Sequence, residues 1–217
     1  MTRTARWIII IVILFTAVYA ILRYHIFKGV EWSHFPLFIM NKIFSFSGFI
    51  ILVTSLALEP FNRKRAAAWF TTRRFLGRTG MVLIIIHIMI SFLLFRPDVY
   101  EKFFAADGTI SPIGEWSMLM GALGIAAYII MTNAFTKPEE GNGFQQMVMS
   151  PAFGFMALTL SALHVAIMGF EGWLTPREWP GGLPSITLLS VSVYLIGIIL
   201  FLVGQKKRTL QITKHGQ

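Results

Sequence analysis

Apolar positions along the chain gather into six long runs, near residues 7–24, 37–58, 79–95, 115–135, 147–169 and 183–204, with short polar stretches between them. A helix needs roughly 17–25 residues to cross the hydrocarbon of a bilayer. The pattern therefore predicts an all-α integral membrane protein: a six-transmembrane-helix bundle forming a single transmembrane domain over residues 1–217, with no room for a second, soluble domain. The first run begins at Trp7 behind Arg3 and Arg6 and has the outline of a signal peptide. No convincing small-residue cleavage site follows it, and Arg23-Tyr24-His25 closes the run, so it is read as a retained helix.

The polar stretches differ in character. The one from Pro60 to Arg74 opens on a helix-ending proline and is expected to lie along the membrane surface, Trp69 and Phe70 dipping in while its cations meet anionic lipid. It serves either as an orientation signal or as a docking site for a cytosolic donor. The stretches Arg96 to Gly114 and Phe170 to Gly182 carry Asp, Gly and Pro turn signals and are expected to cap the outer face, whereas Thr136 to Gly143 reads as a plain turn. There is no internal repeat and no low-complexity tract.

Composition sharpens the membrane assignment. Hydrophobic residues make up 55% of the chain and charged residues 13%, against about 25% charged in an ordinary soluble domain. With no cysteine, this chain holds no disulfide, no thiolate-bound metal and no iron–sulfur cluster, so a cofactor must rely on His, Met or oxygen ligands. The net charge of +9 points to the membrane surface rather than to nucleic acid, because of where the cations sit.

One side of the expected membrane collects Arg3, Arg6, the cations at 63–65, Arg73, Arg74, Arg78, Lys137, the cations at 206–208 and Lys214. The other has Arg23, Lys28, Lys42, Arg96, Lys102 and Arg177, with most of the acids: Glu31, Asp98, Glu101, Asp107, Glu115, Glu171 and Glu178. Cations concentrate on the cytoplasmic side of short loops, so both termini are expected in the cytoplasm. All six tryptophans fall near run ends or in the adjoining loops, where an amphipathic indole prefers the headgroup level.

Ionisable residues inside spanning helices are costly and mark function by default. Here they are His87 in the third run, His164 in the fifth, and Lys42 and Glu59 near the two ends of the second. His87 lies eight residues before Phe95 and His164 five before Gly169, a depth difference of roughly one helical turn. Two imidazoles at matched depth on separate helices can supply both axial ligands of a haem. Gly80 and Ser91 share the face of His87, and Ala157 and Ser161 that of His164, leaving space for a flat ring. Lys42, Arg23 and Arg96 are candidate propionate partners. The competing reading takes each histidine as polar glue between helices or as the lining of a water-filled cavity. His25, His34 and His215 read as solvated, with His25 and His34 as a weak external metal pair at most, and the eleven methionines read as packing. No hydrolase triad or His-Glu-x-x-His pattern occurs, and there is no Gly-rich dinucleotide fingerprint for NAD(P)H.

Thr72-Arg-Arg-Phe-Leu-Gly77, followed by nine residues and His87, resembles the second loop and third helix of the bacterial MsrQ/YedZ haem proteins. These are membrane partners of a periplasmic methionine sulfoxide reductase, within the ferric reductase-like transmembrane superfamily. The similarity extends to Leu56-Ala-Leu-Glu-Pro60, to the stretch through Gly121 and Thr132, and to Gln145-Gln146 leading toward His164. It implies a ferric reductase-like core over about residues 37–204, in the plasma membrane of a bacterium, with b-type haem on His87 and His164. The relatives carry a further histidine about thirteen residues before the one matched by His164, where this chain has Pro151, and another that corresponds roughly to Lys42. The expectation is therefore one haem b. Its electrons would come from a quinol, a bound flavin or a partner reductase, with FMN or quinone as further candidate cofactors, and would pass to an acceptor near the outer face. The alternatives are a cofactor-free structural or assembly protein and a small transporter.

Overall fold

The computed structural model describes residues 2–58, 66–136 and 143–215. Glu59, Pro60, the cations at 63–65 and the turn at 137–142 lie outside the described residues, as do the side chains of Lys207, Arg208, Lys214 and His215. The chain forms α1 (Arg3–Ala20), α2 (Met40–Ala57), α3 (Ala66–Leu93), α4 (Pro112–Thr136), the short α5 (Gly143–Val148), α6 (Pro151–Trp173) and α7 (Ile186–His215). Among the described residues, six helical spans are long and apolar enough to cross a membrane. Their outward positions, such as Ile11, Leu14 and Val18 on α1 or Val82, Met89 and Phe92 on α3, are apolar and exposed, as in helices surrounded by acyl chains. The protein is thus an all-helical, multi-pass membrane protein in contact with lipid.

Two helix pairs organise the bundle. α2 packs along α3 and α4 along α6, while α7 lies against both α2 and α6 and joins the pairs. With lipid on all sides there is no hydrophobic drive to bring helices together, so close packing and polar contacts must do it. Gly80 supplies the close approach in the first pair: a Cβ there would stand 2.8 Å from Leu52 Cγ and 3.0 Å from the Gly48 carbonyl oxygen. In the second pair a Cβ on Gly124 would stand 2.9 Å from Ser161 Oγ. The small residues expected to leave space for a flat ring are thus used otherwise. Gly80 packs on α2, Ala157 is fully buried, and Ser161 donates to the Ala157 carbonyl.

A core of α2, α4, α6 and α7 side chains, among them Leu52, Leu56, Tyr128, Phe155, Leu158 and Phe201, fills the half of the bundle where α6 begins. α6 starts on a side-chain cap from Ser150, with Pro151 in its first turn, where the missing N–H costs nothing.

The basic stretch after residue 66 departs from expectation. It does not lie apart from the third span but forms the first turns of α3, which runs unbroken for 28 residues. At 1.5 Å per residue that is about 42 Å, against roughly 30 Å of hydrocarbon, so the Arg-bearing turns reach beyond the apolar layer while staying helical. Nothing between Ala66 and Phe75 breaks a helix, and Thr72 and Leu76 are buried. The Thr72 hydroxyl bonds that of Thr2 at 2.7 Å, fastening α3 to the start of α1.

α1 continues past Ala20 as a π-helical segment, Ile21–Phe27, and a second one, Phe35–Ile39, precedes α2. The first turns Arg23, Tyr24 and His25 inward, and all three are buried. Each of the two polar side chains makes one hydrogen bond, which offsets part of the cost of burial and leaves Arg23 Nε and His25 Nε2 without a partner. Arg23 donates to the Leu183 carbonyl, and His25 Nδ1 donates to that of Val30 at 2.7 Å. Of the two long loops, the first, between α3 and α4, carries Lys102, which pairs at 3.2 Å with Glu171 in the last turn of α6. Within the first loop, Asp107 accepts from the hydroxyl and the amide of Thr109, which holds its carboxyl below the usual carboxylate range.

Gly80→Val is expected to lower stability by about 1–3 kcal/mol, since neither Leu52 nor the Gly48 backbone can yield fully. Gly77→Ala, whose Cβ would meet nothing within 4 Å, is expected to raise it by about 0.5–1 kcal/mol through helix propensity. Thermal unfolding of the two variants in one detergent measures both.

Candidate functional site

His87 lies six residues before the end of α3 and leans toward α2, whose second residue is Asn41, buried to 2% exposure. The contact between them is short: His87 Nδ1 to Asn41 Oδ1 is 2.7 Å. Asn41 has no spare capacity. Its Nδ2 donates to Ser91 Oγ at 3.0 Å and to Tyr100 Oη at 2.9 Å, so the Oδ1 end faces the imidazole. A carboxamide oxygen only accepts, and His87 Nδ1 therefore carries the proton.

His164 repeats this arrangement in the other pair. It lies nine residues before the end of α6 and leans toward α4, where its Nδ1 donates to the Ser117 carbonyl at 2.8 Å. The Ser117 hydroxyl stands 3.0 Å from the same nitrogen and donates to the His164 carbonyl at 3.1 Å. Ser117 is fully buried. Gly121 makes this approach feasible, because a Cβ there would stand 3.1 Å from His164 Nδ1.

In both residues Nδ1 is thus tied to the partner helix, which leaves the lone pair on Nε2. Neither Nε2 has a hydrogen-bond partner among the described residues, and neither is sealed off by surrounding atoms. His164 and Lys42 lie close enough to His87 to act on it electrostatically. An imidazole whose Nδ1–H is held by an oxygen, with Nε2 open, is the usual state of a histidine that ligates a metal, since the held proton fixes the tautomer and raises ligand basicity.

The proposed cation partners separate. Lys42 Nζ lies 4.3 Å from the ring centre of Phe38 and 5.1 Å from that of Tyr24. Arg23 Cζ lies 5.6 Å from the Tyr24 ring centre, with its guanidinium on Leu183. Arg96 is exposed and pairs with Asp98 at 2.8 Å in the loop after α3. His25 is no solvated residue, being stacked on Trp32 at 4.0 Å between ring centres, whereas His34 is exposed. Among the described residues no three His, Asp or Glu side chains form a metal cluster, so any iron here depends on the two imidazoles and its own macrocycle.

Asn41 and Ser117 escaped the sequence reading, which counted ionisable groups alone. The usable signal was an asparagine inside an apolar run, a residue almost as costly to bury unpaired as a charge. A separate cavity of about 100 Å³ opens between α2, α3 and α4, and neither histidine lines it. No protein-family model matches the chain, and no curated protein matches it.

Proposed function

We propose that the protein is a membrane electron-transfer subunit that holds one b-type haem between His87 and His164. The observation that carries this reading is the shared state of the two imidazoles, each with Nδ1 engaged by an oxygen of the paired helix and Nε2 left open. A haem bound through two imidazoles supplies a one-electron couple with no free axial position. Asn41 and Ser117 would orient the ligating rings. Lys42, amphipathic and lying over two aromatic rings near His87, would face a propionate. The spacing from Thr72-Arg-Arg to His87, similar to that of the ferric reductase-like proteins, supports the same reading.

The reading of a single haem is supported by what occupies the other half of the bundle. That half is filled by the apolar core around Leu56, Phe155 and Leu158, and position 151, where a second ligand would be required, is proline. On the distribution of Lys and Arg both termini face the cytoplasm and the haem lies in the outer half of the membrane, which the resemblance to the ferric reductase-like proteins makes a bacterial plasma membrane. Electrons would come from a quinol, a flavin or a partner reductase, and would leave to an acceptor near the outer face.

A second reading is a cofactor-free structural or assembly protein. It is favoured by the fact that the same Nδ1 bonds also link α2 to α3 and α4 to α6, which is how polar side chains join helices in lipid.

One spectrum separates the two. Protein purified after expression with ample haem supply is expected to show sharp reduced α and Soret bands, and His87→Ala or His164→Ala to remove them. Folded protein without haem would leave the structural reading. Asn41→Leu is expected to retain a haem signal but to weaken haem retention by about 10–100-fold. It should also raise the midpoint potential in a redox titration, because a ring that no longer gives its proton to Oδ1 donates less charge to the ferric state.

A further inference from the structure

We propose that the cavity between α2, α3 and α4 is a binding site for one acidic phospholipid, with the headgroup on Arg74 and Arg78 and an acyl chain against the apolar wall beneath. The inference stands on the cavity itself and does not depend on haem.

The α3 side of the cavity is a single helical face. Arg74, Gly77, Arg78 and Met81 follow the i, i+3, i+4, i+7 spacing, and all four line the cavity. The face is graded, with two guanidiniums in the third and fourth turns of α3, the side-chain-free Gly77 between them, then Met81. Across from it stand Leu52 and Leu56 of α2 and Met131 of α4. Such a surface is cationic at one end and greasy at the other, complementary to an anionic amphiphile rather than to a soluble anion.

The charges need an anion. Like charges four residues apart on a helix repel, and neither Arg74 nor Arg78 is paired with a carboxylate among the described residues. Arg73 lines the cavity too but is engaged in an interaction of its own. Basic pockets between spanning helices at the cytoplasmic face are suited to acidic headgroups, and the cation bias assigns this end of α3 to that face.

An independent observation comes from the opposite wall. Tyr128 lines the cavity and is 3% exposed, and its hydroxyl is buried without a hydrogen-bond partner. The neighbouring hydroxyls are spent: Ser55 donates to the Leu52 carbonyl and Thr132 to that of Tyr128 itself. A buried phenol without a partner is rare. That hydroxyl is sealed by surrounding atoms, so what Tyr128 offers the cavity is its ring, an apolar wall for an acyl chain.

The test is a titration of delipidated full-length protein in a neutral detergent, read by native mass spectrometry and by thermal unfolding. Phosphatidylglycerol is expected to bind as one retained molecule and to raise Tm, while phosphatidylcholine and inorganic phosphate do neither. Arg74→Gln with Arg78→Gln should weaken phosphatidylglycerol binding by about 30-fold, two surface charges' worth. Tyr128→Phe, which keeps the ring and its packing and removes only the sealed hydroxyl, should leave binding intact. Arg3→Gln with Arg6→Gln removes the same charge from exposed positions of α1 and should leave binding intact. Equal binding of phosphatidylcholine, an equal loss in the α1 variant, or full binding by the Arg74/Arg78 variant overturns the proposal. Stabilisation by inorganic phosphate alone, or by a neutral quinone, would assign the cavity to a different ligand and overturns it as well. Unchanged Tm of each variant without lipid separates loss of binding from loss of fold.

Discussion

Close backbone approach within two helix pairs decides where the polar groups of this bundle can go. Glycine at 80 lets α3 settle on α2 beside the Gly48 backbone, and glycines at 121 and 124 let α6 settle on α4. At that separation short side chains reach across: Asn41 to His87, and the backbone of Ser117 to His164. The small residues and the polar bonds are therefore one device. A Cβ at 121 would press on the His164 ring, 3.1 Å from Nδ1, so the glycine gives the hydrogen bond its room. In a bilayer, where exposed polar groups have no water to fall back on, the bond in turn penalises any sliding of the pair.

The same device leaves the two halves of the bundle unlike each other. Toward Tyr100 and Leu183 the interior is polar, with Asn41 using its amide fully and Arg23 tied to a carbonyl, while Arg23 Nε and His25 Nε2 are buried without a hydrogen-bond partner. Toward Arg74 and the start of α6 it is apolar and filled, apart from the cavity beside Tyr128. On the proposed reading this asymmetry has a consequence for electron flow. A second redox group within the filled half would need both space and a ligand, and Pro151 and the core around Phe155 supply neither. Electrons would then enter from the side of the bundle or from its outer face. A lipid in the cavity would seal the remaining gap in that half.

Much of the fold was legible because the physics that fixes it is one-dimensional. Six runs of spanning length mark six spans, and the structure has six, with ends shifted by a few residues where caps and prolines intervene. The basic stretch after Ala66 was misplaced because charge was allowed to outweigh backbone preference. A helix can carry arginines past the hydrocarbon as long as no residue breaks it. His25 was misjudged for a different reason: π-helical geometry rotates the residues that follow, and no spacing in Ile21–Phe27 signals it. The two histidines were singled out correctly as the costly groups of their helices. Their partners were not, since pairing across helices depends on which glycines face each other, a three-dimensional fact.

The chemistry of imidazole bears on why these two positions are histidines at all. Polar glue between helices requires one donor or acceptor per side, and the Nδ1 bonds already provide it. Serine or asparagine would do so without leaving a second ring nitrogen unpaired in an apolar medium, where each unmet polar group is costly. His25 is instructive by contrast. Its Nε2 is also unpaired, but the ring is sealed under Trp32 and fastened to Val30, so no ligand can reach it. His87 and His164 differ in that Nε2 is open in both, on two different helices, with the proton of each ring held on the far nitrogen. A structural role accounts for half of each ring. Ligation uses both halves.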